Sequence, residues 1–211
     1  MSMIALIGAI EVGLVYALVA LGVFLSFRIL NFPDLTVDGS FPLGAAVAAT
    51  LITVGWDPVS ATIIAILSGA LAGLVTAWLN VRFGILQLLA SILTMIALFS
   101  INLRVMGKPN VSLLGQSTLI DYFAAVKPAL TNLNLPAQAS LKMLVVGGVV
   151  LVVTILLGRF LSSEFGLAMR ATGANPRMAR AQGIATNRHI YCGMALSNAL
   201  VALAGALFAQ T

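Results

Sequence analysis

Six runs of apolar residues dictate the solvent in which this chain can fold. They cover about Ile4–Phe27, Phe41–Val54, Val59–Leu79, Ile85–Leu103, Met143–Leu161 and Ile190–Ala209. Most are near the ~20 residues of helix that cross a hydrocarbon core of about 30 Å. What remains cannot cover a water-facing surface. Only 8% of the 211 residues are charged, against about 25% in a soluble domain. In lipid a segment must satisfy its own backbone hydrogen bonds, which a helix does alone. The period-two alternation of an outer-membrane barrel is absent. The fold class is therefore all-α, a polytopic transmembrane helical bundle, with residues 1–211 as a single transmembrane domain in the lipid bilayer. The first run holds Glu11, lacks a basic stretch before it and is too long for a signal-peptide core, so it reads as a retained span. The last run ends at LVALAGALFAQT, and the domain is expected to be incomplete at its C-terminus.

The net charge of +5 does not point to nucleic acid, because the basic residues sit in the connections between spans. There they set orientation. With residues 162–189 in the cytoplasm, that side holds Arg28, Arg82, Arg159, Arg170, Arg177, Arg180 and Arg188, and the other side Arg104, Lys108, Lys127 and Lys142. This places the N-terminus outside. One cysteine, Cys192, and one histidine, His189, exclude an intrachain disulfide and a zinc site. They also fall short of a catalytic constellation, so no catalytic or metal residues are assigned.

The second run is the irregular one. Fourteen helical residues rise only about 21 Å, and NFPDLTVDGSFPLG, with two prolines and two carboxylates, precedes them. Part of that stretch must enter the membrane to make up the length. Non-helical backbone at depth is tolerated where it is buried in protein or lines a wet cavity, and it marks transport pathways. Asp38 or Ser40 is expected to cap the helix, with Pro42 in its first turn. Asp34, Thr36, Asp38 and Ser40 are candidate pathway residues, beside the alternative of a plain loop and cap. In the fourth run Gln87, Ser91 and Thr94 form one polar stripe, with Asn102 near the same face. The stripe lines a pathway or joins helices by hydrogen bonds. Gly69 and Gly73 form a small-residue face for close packing. In the long connection from Arg104 to Lys142, Leu119, Ile120, Phe123, Val126 and Leu130 recur at helical spacing. They predict a short helix on the membrane surface or on the bundle.

The connection EFGLAMRATGANPRMARAQGI is basic and punctuated. Glu164–Ala171 is expected to be helical, with Gly173 ending it in a left-handed cap. Asn175 is a good N-cap, Pro176 a good first residue and Gly183 a stop, so Pro176–Gln182 is expected to form a small helix. Arg177 and Arg180 would share one face of it. Such a helix serves as a docking knob or as a positive-inside anchor.

GLAMRATGANPRMARAQGI resembles the cytoplasmic coupling loop of ATP-binding cassette (ABC) importer permeases of the branched-chain amino acid and ribose type. LNFPDLTVDGSFPLGAA is similar to the second-span stretch of the same family. The resemblance covers nearly all of the chain, and it implies a permease domain in a bacterial cytoplasmic membrane. Glu164, Gly166, Arg170, Gly173, Asn175, Pro176, Arg177, Ala179, Arg180 and Gly183 would form the element that seats in a separate ATP-binding subunit. ATP and Mg would be held on that partner, since this chain has no GxxxxGK[ST] loop and needs no cofactor of its own. The resemblance further implies an extracytoplasmic solute-binding protein, a second permease subunit and a small polar solute, an amino acid in preference. An ion-coupled secondary transporter is the alternative, with Glu11 the only carboxylate well inside a span.

Overall fold

The computed structural model describes residues 3–108, 110–113, 115–126 and 137–211. Helix α1 (Met3–Val23) runs into a π-helical turn over Phe24–Ile29, and residues 30–36 are irregular. Then come α2 (Val37–Thr53), α3 (Pro58–Phe83) and α4 (Gln87–Met106). A 3-10 helix over Leu119–Val126 precedes α5 (Ala137–Ser162), α6 (Glu164–Ala174), α7 (Pro176–Ala181) and α8 (Thr186–Gln210). No strand occurs among the described residues. Five of these helical stretches are long and apolar enough to cross a membrane, and α2 is a shorter apolar helix. The protein is thus a multi-pass helical bundle, as its apolar runs predict.

Local chemistry sets the helix ends. Asp57 caps α3 by accepting from the Val59 and Ser60 amides (3.2 and 3.4 Å), and Pro58 follows at the first helical position. Gly84 closes the same helix at φ 67°. The second span departs from expectation. Its helix starts at Val37, four residues before Phe41, so Pro42 lies inside it and not in its first turn. Neither Asp38 nor Ser40 is the cap. The Thr36 amide instead bonds the Asp34 carboxylate (2.9 Å), so the turn that starts the helix is organised from further upstream.

Helix α8 is the hub of the bundle. It buries 15 of its 25 residues, on all sides, whereas α4 buries five of 20 along one stripe. Lipid gives helices little hydrophobic reason to associate, so close contact depends on small residues. Gly69 and Gly73 of α3 abut α8 at Asn198, Ala202 and Met194, as the small-residue face predicts. Gly44 of α2 abuts the Ala202 carbonyl, and Gly205 of α8 abuts the Phe41 carbonyl. A Cβ at any of these positions would overlap a neighbour's backbone or side chain.

The ends of the π-turn, α3 and α5, carrying Arg28, Arg82 and Arg159, gather at the end of the bundle where α6 and α7 lie. This is the basic end. At the far end the 3-10 helix packs on the bundle. Ile120 is buried, the Leu119 amide bonds Gln210 Oε1 (3.2 Å), and the Tyr122 hydroxyl donates to the Asp57 carboxylate. Leu130 and Lys127 lie outside the described residues.

Candidate functional site

Residues 30–36 cross part of the bundle in an irregular conformation, and Asn31 sits at φ 52°. The Leu30 and Phe32 amides bond back to the π-turn, and the side chains of Asp34 and Thr36 enter a buried network at half-depth. Asp34 is 2% exposed and uses both carboxylate oxygens: one accepts from the Thr36 amide, the other from Asn198 Nδ2 (2.8 Å). Asn198 Oδ1 in turn accepts from the Ser40 hydroxyl (2.6 Å), and its amide also donates to the Met194 carbonyl (3.1 Å). The Thr36 and Thr76 hydroxyls share a 2.8 Å hydrogen bond. Asn198 is the thirteenth of the 25 residues of α8, so the network ties the broken second span to the middle of the hub. It is closed: every polar side-chain atom of Asp34, Thr36, Ser40 and Asn198 has a partner. Asn198 and Thr76 are not singled out by the sequence. An Asn within an apolar run is the signal that could have found the first.

The other candidates are placed differently. Ser91 and Thr94 are buried, but their hydroxyls bond carbonyls of their own helix, Leu88 (2.8 Å) and Ala90 (3.0 Å), and so do not tie α4 to its neighbours. Gln87 is half-buried at the start of α4. Asp38 alone of the seven candidate pathway residues is exposed. It lines a cleft of about 310 Å³ between α2 and α4, with Pro42, Met95, Ile96, Phe99 and Asn102 around it.

The basic end presents α7 as a rigid projection. Ser163 caps α6 by accepting from the Gly166 amide (3.3 Å). Met169, fully buried, packs among Leu25, Ile29, Leu30 and Met194. Gly166 lies against the Phe160 carbonyl and Gly173 against the Ile29 carbonyl. Gly173 is therefore not a left-handed cap. Helix α6 runs through it to Ala174, and the missing side chain serves the close approach to the π-turn. Asn175, in an extended conformation, ends α6 and caps α7, accepting from the Met178 amide (3.1 Å). Pro176 opens α7, and Gly183, at φ 83°, ends the turn that follows it. Ala179 is buried underneath. Arg180 Nε donates to Thr186 Oγ1 (2.7 Å), which fastens α7 to the start of α8. Arg170, Arg177 and Met178 are exposed, Met178 at 60%. An exposed methionine between arginines was not anticipated; only burial reveals that it points outward.

The architecture defines a helical membrane protein with an interrupted second span and a capped basic projection. The sequence pattern of the family described as branched-chain amino acid transport system / permease component matches residues 5–211, and the chain belongs to that family. It is 37% identical over 208 residues to the tyrosine transport system permease protein of Clostridioides difficile, covering 99% of this chain and 65% of that protein. It is 35% identical over 205 residues to an uncharacterized protein of Rickettsia prowazekii, covering 97% of this chain and 68% of that one. It is 29% identical over 204 residues to the probable branched-chain amino acid transport permease protein LivH of Methanocaldococcus jannaschii, covering 95% and 64%. The chain thus spans about two thirds of the length of these relatives. No solved structure matches it.

Proposed function

We propose that this chain belongs to the permease subunit of an ABC importer that moves a small polar solute, an amino acid in preference, across a bacterial cytoplasmic membrane. The preference follows the relatives, which are named for tyrosine and branched-chain amino acid transport. The observation that carries the reading is α7. It is capped at its start, stopped by Gly183, fastened by Arg180 to Thr186, and presents Arg177 and Met178 to solvent. An anchor that only fixes orientation needs positive charge; it does not need a rigid shape. A rigid basic knob with an apolar tip suits a groove on a partner protein. In this reading the basic end faces the cytoplasm, consistent with its arginine excess. Residues Glu164 to Gly183 dock on a separate ATP-binding subunit that holds ATP and Mg. A solute-binding protein meets the far end, and a second permease subunit completes the path. Closure of the ATPase dimer would move α7 and switch access between the two faces.

The test is co-purification of the ATP-binding subunit with an Arg170→Glu/Arg177→Glu variant in the native membrane. Retention should fall at least about tenfold, the effect of losing about 1.4 kcal/mol of binding, while membrane insertion stays normal. Unchanged retention together with unchanged uptake would leave the arginines as an orientation signal and remove the docking assignment.

A further inference from the structure

From the cleft between α2 and α4 we infer a subsite for the ammonium group of the transported solute, held by Asp38 and Asn102; this deepens the permease reading and rests on it. The depth of the cleft comes first. Gly39, next to Asp38, abuts Leu98 and Met95, which straddle the middle of α4, and Ser40 bonds the middle residue of α8. Asp38 is therefore an exposed carboxylate at mid-membrane depth. Among the described residues no cation lies within ion-pair distance of it. A carboxylate facing hydrocarbon is costly, so this one faces water, a cation or protein.

Asn102 is the independent observation. It is 6% exposed and lines the same cleft. Its Nδ2 donates to the Gly39 carbonyl (3.2 Å), which fixes the amide with Oδ1 as the remaining group. That oxygen is buried and has no hydrogen-bond partner. A buried acceptor left unpaired costs on the order of 1–3 kcal/mol, so its persistence calls for a donor that arrives later. The Asp38 carboxylate and Asn102 Oδ1 are both acceptors, and the first is an acid. What they lack is a compact group with several donors, and a primary ammonium is such a group. The other walls, Pro42, Met95, Ile96 and Phe99, are apolar and suit a carbon skeleton. Ile96 and Phe99 are exposed along the cleft. A phosphate or sulfate is the wrong partner for this donor-poor, acceptor-rich lining.

The experiment uses the full-length permease assembled with its ATP-binding subunit and binding protein in proteoliposomes, with labelled L-tyrosine and L-leucine as probes. Asp38→Asn should lower uptake of the transported probe about tenfold or more, as expected for loss of a charge-assisted hydrogen bond. Asp38→Glu should restore most of it, and the ATP-binding subunit should still co-purify with both variants. Asn102→Leu should lower uptake without altering assembly. In a Cys192→Ser background, Asp38→Cys should react with a membrane-impermeant thiosulfonate at least about tenfold faster than Ile63→Cys on the exposed face of α3, and saturating probe should slow that reaction. Uptake unchanged by Asp38→Asn would overturn the subsite and leave the permease reading standing. Loss of assembly in Asp38→Asn would reassign the carboxylate to a contact with the second subunit. A wild-type complex that transports neither probe would instead overturn the amino-acid reading on which the subsite rests.

Discussion

Asn198 holds together what the chain keeps 164 residues apart. Its amide donates to Asp34 and its carbonyl accepts from Ser40, both fully withdrawn from solvent. Removing one member of a buried network costs more than the network contributes, because the partners keep their desolvation and lose their bonds. Asn198→Leu keeps the branching of the side chain but removes its donor and acceptor, and leaves the Asp34 carboxylate one donor short. It should lower unfolding stability in detergent by about 2–4 kcal/mol; a melting curve superimposable on the wild type would show that the carboxylate finds another donor. The pair also shows where reading the sequence stops. Asp34 is conspicuous beside two prolines, and its membership of a membrane-buried stretch follows from the shortness of the second run. Asn198 sits silently in an apolar run, and nothing local tells which of the other five spans it faces. Asp38 illustrates the reverse. Its type and position look like those of a cap, yet the helix starts after Thr36, whose amide is held by Asp34, and Asp38 is left exposed on the side of α2 that faces α4.

At the level of elements, the 3-10 helix is held by two different helices at the far end of the bundle. Gln210 of α8 accepts from the Leu119 amide, and Asp57 at the cap of α3 accepts from the Tyr122 hydroxyl. That hydroxyl is the main reason the Asp57 carboxyl is held below its usual range, with the Ser60 and Val59 amides adding to it. The same bond pushes the Tyr122 phenol up. The signs give a window. A carboxylate lowered on folding contributes above its unfolded value of about 3.9 and loses that contribution as pH falls through the folded value. A phenol raised on folding contributes below its unfolded value of about 10 and loses it as pH rises through the folded one. Both groups are fully exposed, so water screens the effect. Amides of residues 119–126 should therefore exchange more slowly between roughly pH 4 and 10 than Tyr122→Phe allows, and the difference should vanish in acid. Equal exchange in both proteins at pH 7 would mean that Gln210 alone anchors the helix. Periodicity announced a helix in this connection, but not its tight 3-10 winding or its attachment to Asp57, which depends on residues 65 positions away. Likewise Asn175, Pro176 and Gly183 were legible as punctuation because caps act locally. Gly173 was misread because a glycine chosen for close approach looks the same in sequence as one chosen for φ.

Across the whole molecule, the basic projection and the broken span are mechanically adjacent. Helix α6 is seated on the π-turn through Gly173 and Ile29, on α5 through Gly166 and Phe160, and on the hub through Met169 and Met194. The π-turn leads directly into residues 30–36, and these are bonded to the middle of α8. Close-packed contacts of this kind transmit displacement and do not absorb it. A push on α7 thus reaches the interrupted stretch through two short steps, α6 to the π-turn and the π-turn to Asp34. If that route carries the coupling proposed above, loosening its first step should separate nucleotide hydrolysis from movement of solute. Gly173→Ala places a methyl group against the Ile29 carbonyl and forces α6 away from it. The ATP-binding subunit should still co-purify, because Arg177 and Met178 are untouched. Uptake per ATP hydrolysed should fall by roughly 5-fold or more, the lower end of common allosteric coupling. Gly148→Ala, where an added methyl group meets nothing, should leave the ratio unchanged. A Gly173→Ala complex that hydrolyses and transports in the wild-type ratio would show that the stroke travels another way, by rigid rotation of the whole bundle and not through the π-turn.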